Sequence, residues 1–226
     1  MKKVWIFGDS YADIESLLDN STSWPIELAK KYDVKNFACK GTGPDWSLSQ
    51  FKINFDNADK TDLKNVSLIF LVGDVHRFNL KFFKDQRDQV YFLDLADPSQ
   101  TSYPMYKQYK KFSIDFFKYF ADNTTFESNE ILKAIGYLKL HESFFEKILV
   151  WPLFNNVSVP IASSDKFFYI DALLADVEGE LGFDDARANH LSYENHIVML
   201  EQLSNWIDYA IPIAVSKFIK ISNIVQ

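Results

Sequence analysis

Two residues near opposite ends of the chain have the types that acyl transfer requires. Ser10 closes the segment Gly8-Asp9-Ser10, and His190 stands in Asn189-His190-Leu191-Ser192. A serine hydroxyl is a poor nucleophile until a neighbouring base removes its proton. An imidazole, whose unperturbed pKa lies near neutrality, suits that task. The chemistry also needs N–H donors for a developing oxyanion, and glycine lets the backbone approach a substrate closely. Gly41 and Gly43, in Phe37-Ala38-Cys39-Lys40-Gly41-Thr42-Gly43, are candidates for that role. Each feature also has a plain reading. Gly-Asp-Ser is a turn with Ser10 as a helix cap, Gly-Thr-Gly-Pro is a tight turn, and a single loop histidine is a capping residue.

Positioning these groups is the work of the elements around them. Short, doubly apolar runs at 3–8, 34–39, 66–73, 147–151 and 166–170 predict strands covered on both faces, as in a parallel sheet. Helical patterns separate them. Ser23, Pro25 and Glu27 predict an N-cap and first turn of a helix to Lys31, and further helices are expected over 46–55, 106–121 and 129–145. Ser192 predicts the cap of a helix to about residue 210, with Ile197, Leu200, Leu203, Trp206 and Ile207 on its apolar side. A further amphipathic helix is expected from Ile211 onward. Alternation of strand and helix predicts an α/β fold, a three-layer α/β/α sandwich on a central parallel sheet of about five strands. Ligands bind such sheets beyond the carboxyl ends of the strands, where Gly8-Asp9-Ser10 falls. The stretch 77–102 breaks the rhythm with alternating apolar residues around a charged loop, and reads as an inserted hairpin or flap, or as a long connection.

Composition narrows the function. The chain of 226 residues fits a single domain with one core. A net charge of −7 argues against a nucleic-acid footprint, which needs a basic patch. No apolar run has the length of a membrane span, and the amino-terminal run is too short for a secretory leader, so a cytoplasmic address is the default expectation. Cys39 is the only cysteine, which rules out an intrachain disulfide. The 21 phenylalanines could fill a core or line an acyl pocket. No metal-ligand spacing, phosphate loop or dinucleotide fingerprint occurs, so no metal and no cofactor is expected. His196 lies inside the last helix and is expected to be structural.

Gly8-Asp9-Ser10 resembles the first block of the SGNH (GDSL-type) hydrolases, and His190, late in the chain before a last helix, resembles their final block. The resemblance implies a flavodoxin-like fold, with Ser10 as nucleophile and His190 as base. The loop after the second strand resembles the second block, whose glycine offers an N–H to the oxyanion; Gly41 is the preferred match and Gly43 the alternative. Two blocks depart from the family. Where the third has an asparagine donor, this chain has Gly73-Asp74-Val75-His76-Arg77, and an ionised Asp74 would repel an oxyanion. His76 or Arg77 could supply the donor instead, or the three could form a salt-linked turn. The acid three residues before the histidine is replaced by Arg187. Asp185, and after it Asp184, could orient the imidazole. Asp9 and Asn189 complete the candidate set.

The resemblance implies ester hydrolysis through an acyl-enzyme, on a small-molecule or glycan ester. A binding module on the same fold, with weakened catalysis, is the alternative. The absence of a Gly-x-Ser-x-Gly elbow argues against an α/β-hydrolase proper.

Overall fold

A computed structural model describes residues 1–14, 23–84, 90–94, 115, 124–153, 164–174 and 191–219. Its centre is a five-stranded sheet. β1 (Lys3–Phe7), β2 (Asp33–Asn36), β3 (Val66–Val72), β6 (Lys147–Pro152) and β7 (Phe167–Tyr169) lie in the order β2-β1-β3-β6-β7. Every pairing in it is parallel. Counting these five strands alone, this is the doubly wound order 2-1-3-4-5. β3 and β6 are buried along their whole length, which explains why they read as continuous apolar runs.

Helices cover both faces. α1 (Trp24–Lys31) and α5 (Tyr193–Tyr209) pack on one, burying Trp24, Leu28, Met199, Leu203 and Trp206 against Ile6, Ile69 and Leu149. α2 (Pro44–Asn57) and α4 (Thr124–Leu140) pack on the other, with the short α3 (Lys60–Leu63) beside them. α3, capped by Asp59 accepting from the Thr61 N–H at 2.9 Å, has no counterpart in the sequence reading. On the second face the phenylalanines are core. Phe7 stacks on Phe37 and Phe70, and Phe51 meets Phe55 and Phe145. Each fully buried ring contributes about 1.5–3 kcal/mol.

The fourth helix expected over 129–145 begins earlier and gives way to a 3-10 turn at Glu142–Phe144. The helix expected over 106–121 lies outside the described residues, Asp115 excepted. β4 (Arg77–Lys84) and β5 (Val90–Asp94) pair antiparallel, apart from the main sheet. They leave the carboxyl edge of β3 as a ribbon; 95–102 lie outside the described residues.

Two expectations about the carboxyl-terminal region need correction. Among the described residues, which end at 219, no amphipathic helix follows Ile211. The chain runs without regular structure to a single 3-10 turn, Val215–Lys217. Its backbone is bonded instead by side chains of α5: Gln202 Oε1 accepts the Ala214 N–H at 3.0 Å, and Asn195 bonds both the N–H and the carbonyl of Ile219, at 2.8 and 2.9 Å. The buried face of α5 keeps Leu203, Trp206 and Ile207 from the expected apolar side, but not Ile197. Ile197 is half exposed, and Asn195, His196 and Gln202 are buried. At the far end of α5, Lys147 Nζ donates to the carbonyls of Trp206 and Ile207, and Lys2 Nζ to those of Ile207 and Asp208. Cations there complement the helix dipole. Lys2 and Lys147 lie at the amino ends of their strands, so the amino end of α5 lies toward the carboxyl edge, where Ser10 is.

Candidate active site

At the carboxyl edge of the sheet the turn after β1 carries Gly8, Asp9 and Ser10. The carbonyl of Asp9 accepts the N–H groups of Ala12 and Asp13, each at 3.0 Å, and its Oδ1 accepts that of Tyr11 at 3.1 Å. These three bonds bend the chain so that half-buried Ser10 sits at the head of the turn. Gly8 is required by close approach, since a Cβ there would stand 2.9 Å from Leu71 Cβ.

The glycine loop is tied to this turn from several sides. Cys39 N–H donates to the Gly8 carbonyl at 3.1 Å, Lys40 N–H to Asp13 Oδ2 at 2.7 Å, and Asn36 Nδ2 to the Ala12 carbonyl at 2.7 Å. Gly41, held in their midst, has a φ of +74°, a conformation that favours glycine. Gly43 is the N-cap residue of α2, and a Cβ on it would fall 2.1 Å from the Arg77 carbonyl oxygen. Gly41 and Gly43 thus belong to a loop bonded to the Ser10 turn, and each is glycine on different grounds. Gly41 turns the backbone, and Gly43 lets the β3–β4 connection pass.

That connection carries the departing block. Asp74 is mostly buried, with Oδ1 accepting the His76 N–H at 2.9 Å and lying 3.2 Å from His76 Nδ1. Its Oδ2 faces Arg77 Nε at 3.7 Å. Burial raises the Asp74 pKa, but the His76 hydrogen bonds and the Arg77 and His76 charges outweigh it and hold the carboxyl below its ordinary range. His76 is buried, its Nε2 lying 3.5 Å from Glu127 Oε1 on α4 and its ring beside Phe126. Asp74, His76 and Arg77 thus form a salt-linked turn, extended by Glu127. The sequence reading missed Glu127, because nothing local marks a partner on a distant helix.

Asp9 is fully buried. Burial pushes its pKa up to about 6, against the Tyr11 N–H and Arg77, while the nearby Asp74 charge adds to the rise. Its Oδ2 has no hydrogen-bond partner among the described residues.

His190, Asp184, Asp185 and Asn189 lie outside the described residues. The chain directly after His190 is described: Leu191 is buried in the core, and Ser192 caps α5, its Oγ accepting the Asn195 N–H at 3.2 Å. A relay links that end of α5 to the Ser10 turn. Trp24 Nε1 donates to the Tyr11 carbonyl at 2.9 Å, and the Trp24 N–H donates to His196 Nδ1 at 3.3 Å. His196 is structural, as expected. Ser23 stands at the cap position of α1 but makes no side-chain cap bond, and His196 takes the Trp24 N–H. Asp13, Trp24 and Asn36, which hold the site together, were also missed.

Among the described residues no three His, Cys, Asp or Glu side chains group to hold a metal ion, and no helix is long and apolar enough to cross a membrane.

No protein-family model matches the chain, and no curated protein matches it either. Among solved structures, one titled "Crystal Structure of TesA" aligns over 92% of this chain and 99% of that one, at 12% identity and a TM-score of 0.49. A likeness this slight says nothing about activity.

Proposed function

We propose that the protein is a serine hydrolase of SGNH type that cleaves an ester, with an acyl or acetyl group on a carbohydrate, lipid or small molecule as substrate. Ser10 attacks the carbonyl carbon while His190 takes its proton. The N–H groups of Ser10 and Gly41 receive the oxyanion, His190 protonates the departing alcohol, and water releases the acyl group by the reverse sequence. Asp185, or Asp184, orients the imidazole.

The observation that carries this reading is the joining of three segments at one sheet edge. The Ser10 turn is bonded to the Gly41 loop through Gly8, Ala12 and Asp13, and the first turn of α5, which begins three residues after His190, is linked to the same turn through Trp24. That joining supports a reading with the three parts acyl transfer needs: nucleophile, oxyanion donors and base. Hydrolysis of p-nitrophenyl esters of graded chain length tests it. The reading predicts turnover that Ser10→Ala abolishes. Full activity in Ser10→Ala would end it.

One observation favours a slower enzyme, or the binding module. Asp74 stands where the family offers a donor, and its carboxylate is engaged by His76 and Arg77. Loss of one such donor costs about 10²–10³ in rate. Tight binding of an acylated ligand without turnover is the mark of that alternative.

A further inference from the structure

The Asp9 carboxyl lies beneath the proposed nucleophile and is not used by the mechanism above. Its Oδ1 is committed to the Tyr11 N–H. Its Oδ2 is fully buried and has no hydrogen-bond partner among the described residues. A carboxylate oxygen in that position is costly, because a buried charge needs a donor. Gly73 packs so closely that a Cβ on it would lie 3.3 Å from Asp9 Oδ2 and 2.9 Å from the Thr42 carbonyl oxygen. Asp9 Oδ2 and the Thr42 carbonyl oxygen therefore both border the space beside Gly73. The charged groups acting on Asp9 are Asp74, which opposes its ionisation, and Arg77, which favours it.

An acid that keeps its proton resolves this arrangement. The O–H can donate across to the Thr42 carbonyl while Oδ1 still accepts from Tyr11. We propose that Asp9 is a positioning residue that works as the neutral acid, its proton latching the Ser10 turn onto the Gly41–Gly43 loop. Ionisation releases the latch. The link to Ser10 chemistry rests on the proposed function; the latch itself does not.

The folded protein then holds the Asp9 proton more tightly than the unfolded chain, whose carboxyl titrates near 3.8. The contribution to stability is fully present below that value. It is lost as pH rises through about 6, and the whole loss is roughly a hundredfold in the folding equilibrium. Asn at this position keeps one acceptor and one donor at every pH.

Denaturant unfolding from pH 4 to 8, comparing wild type with Asp9→Asn and Asp9→Ala, tests the latch, alongside the ¹³C titration of the Asp9 carboxyl. The expected result is an Asp9 midpoint near 6, and an Asp9→Asn protein that gains on wild type across that window. Fluorophosphonate labelling of Ser10 at pH 7.5, where the wild-type latch is released, should be severalfold faster in Asp9→Asn than in wild type and no faster in Asp9→Ala. An Asp9 midpoint near 4, or parallel stability profiles for wild type and Asp9→Asn, would overturn the proposal. Those readouts need no activity, so a protein that never labels at Ser10 would refute the hydrolase reading and leave the latch to be judged on its own.

Discussion

The main-chain N–H of Trp24 donates to Nδ1 of His196 at 3.3 Å, joining the first helix of the fold to the last. The same tryptophan bonds the carbonyl of Tyr11, the residue after Ser10, through its indole N–H. A buried residue at each helix start thus fixes how the two ends of the chain meet at the sheet edge. His196 is 172 residues away from Trp24, so the joint exists only in the folded protein.

Removing that acceptor strands a buried donor. His196→Leu should destabilise the protein by about 1–3 kcal/mol, the cost of leaving a buried N–H unpaired. His196→Asn, whose side-chain oxygen can stand near the place of Nδ1, should recover part of the loss. Chemical denaturation of the three proteins measures both effects.

The two glycines that differ most in surroundings should respond in opposite ways. Gly43→Ala places a Cβ 2.1 Å from the Arg77 carbonyl and must push the β3–β4 connection away. A loss of about 3 kcal/mol or more is expected, with slower Ser10 labelling. Gly136 lies within α4, and a Cβ there meets nothing within 4 Å. Gly136→Ala should therefore stabilise, by about 0.5–1 kcal/mol. Thermal melts of both variants give the comparison.

Asp74 should show its charge through pH. Its folded carboxyl titrates below the ordinary value of 3.8, so the ionised form contributes stability above that value. The contribution is lost as pH falls through the folded pKa. Asp74→Asn should cost about 1–2 kcal/mol near neutrality, as expected for hydrogen bonds to a charged group, and the gap should close on acidification. A gap that stays constant down to acid pH would show that the contribution of Asp74 does not depend on its charge.

These residues mark where local pattern stops being informative. β3 and β6 are legible because both faces are covered, which makes every position apolar. Ser192 is legible because a cap acts within three residues. β2 and β7 are shorter than their apolar runs; beyond the last β2 residue, Phe37 and Cys39 still donate to the Ile6 and Gly8 carbonyls in the loop. On α5 Leu203, Trp206 and Ile207 are buried as their spacing indicates, whereas Asn195, His196 and Gln202 were missed because they are polar and their partners at 219, 24 and 214 leave no local mark. The same holds at the site. Gly8-Asp9-Ser10 and Gly41 can be picked out by type, whereas Asp13, Asn36 and Trp24 act only through contacts between distant segments.

The central claim is that Ser10 is an activated nucleophile. Intact-mass analysis after treating the folded protein with a fluorophosphonate, followed by peptide mapping, tests it most directly. The account predicts one adduct per chain, on Ser10, absent from Ser10→Ala and reduced at least a hundredfold in rate in His190→Ala. No adduct on folded wild-type protein, or an adduct that persists in Ser10→Ala, would contradict it.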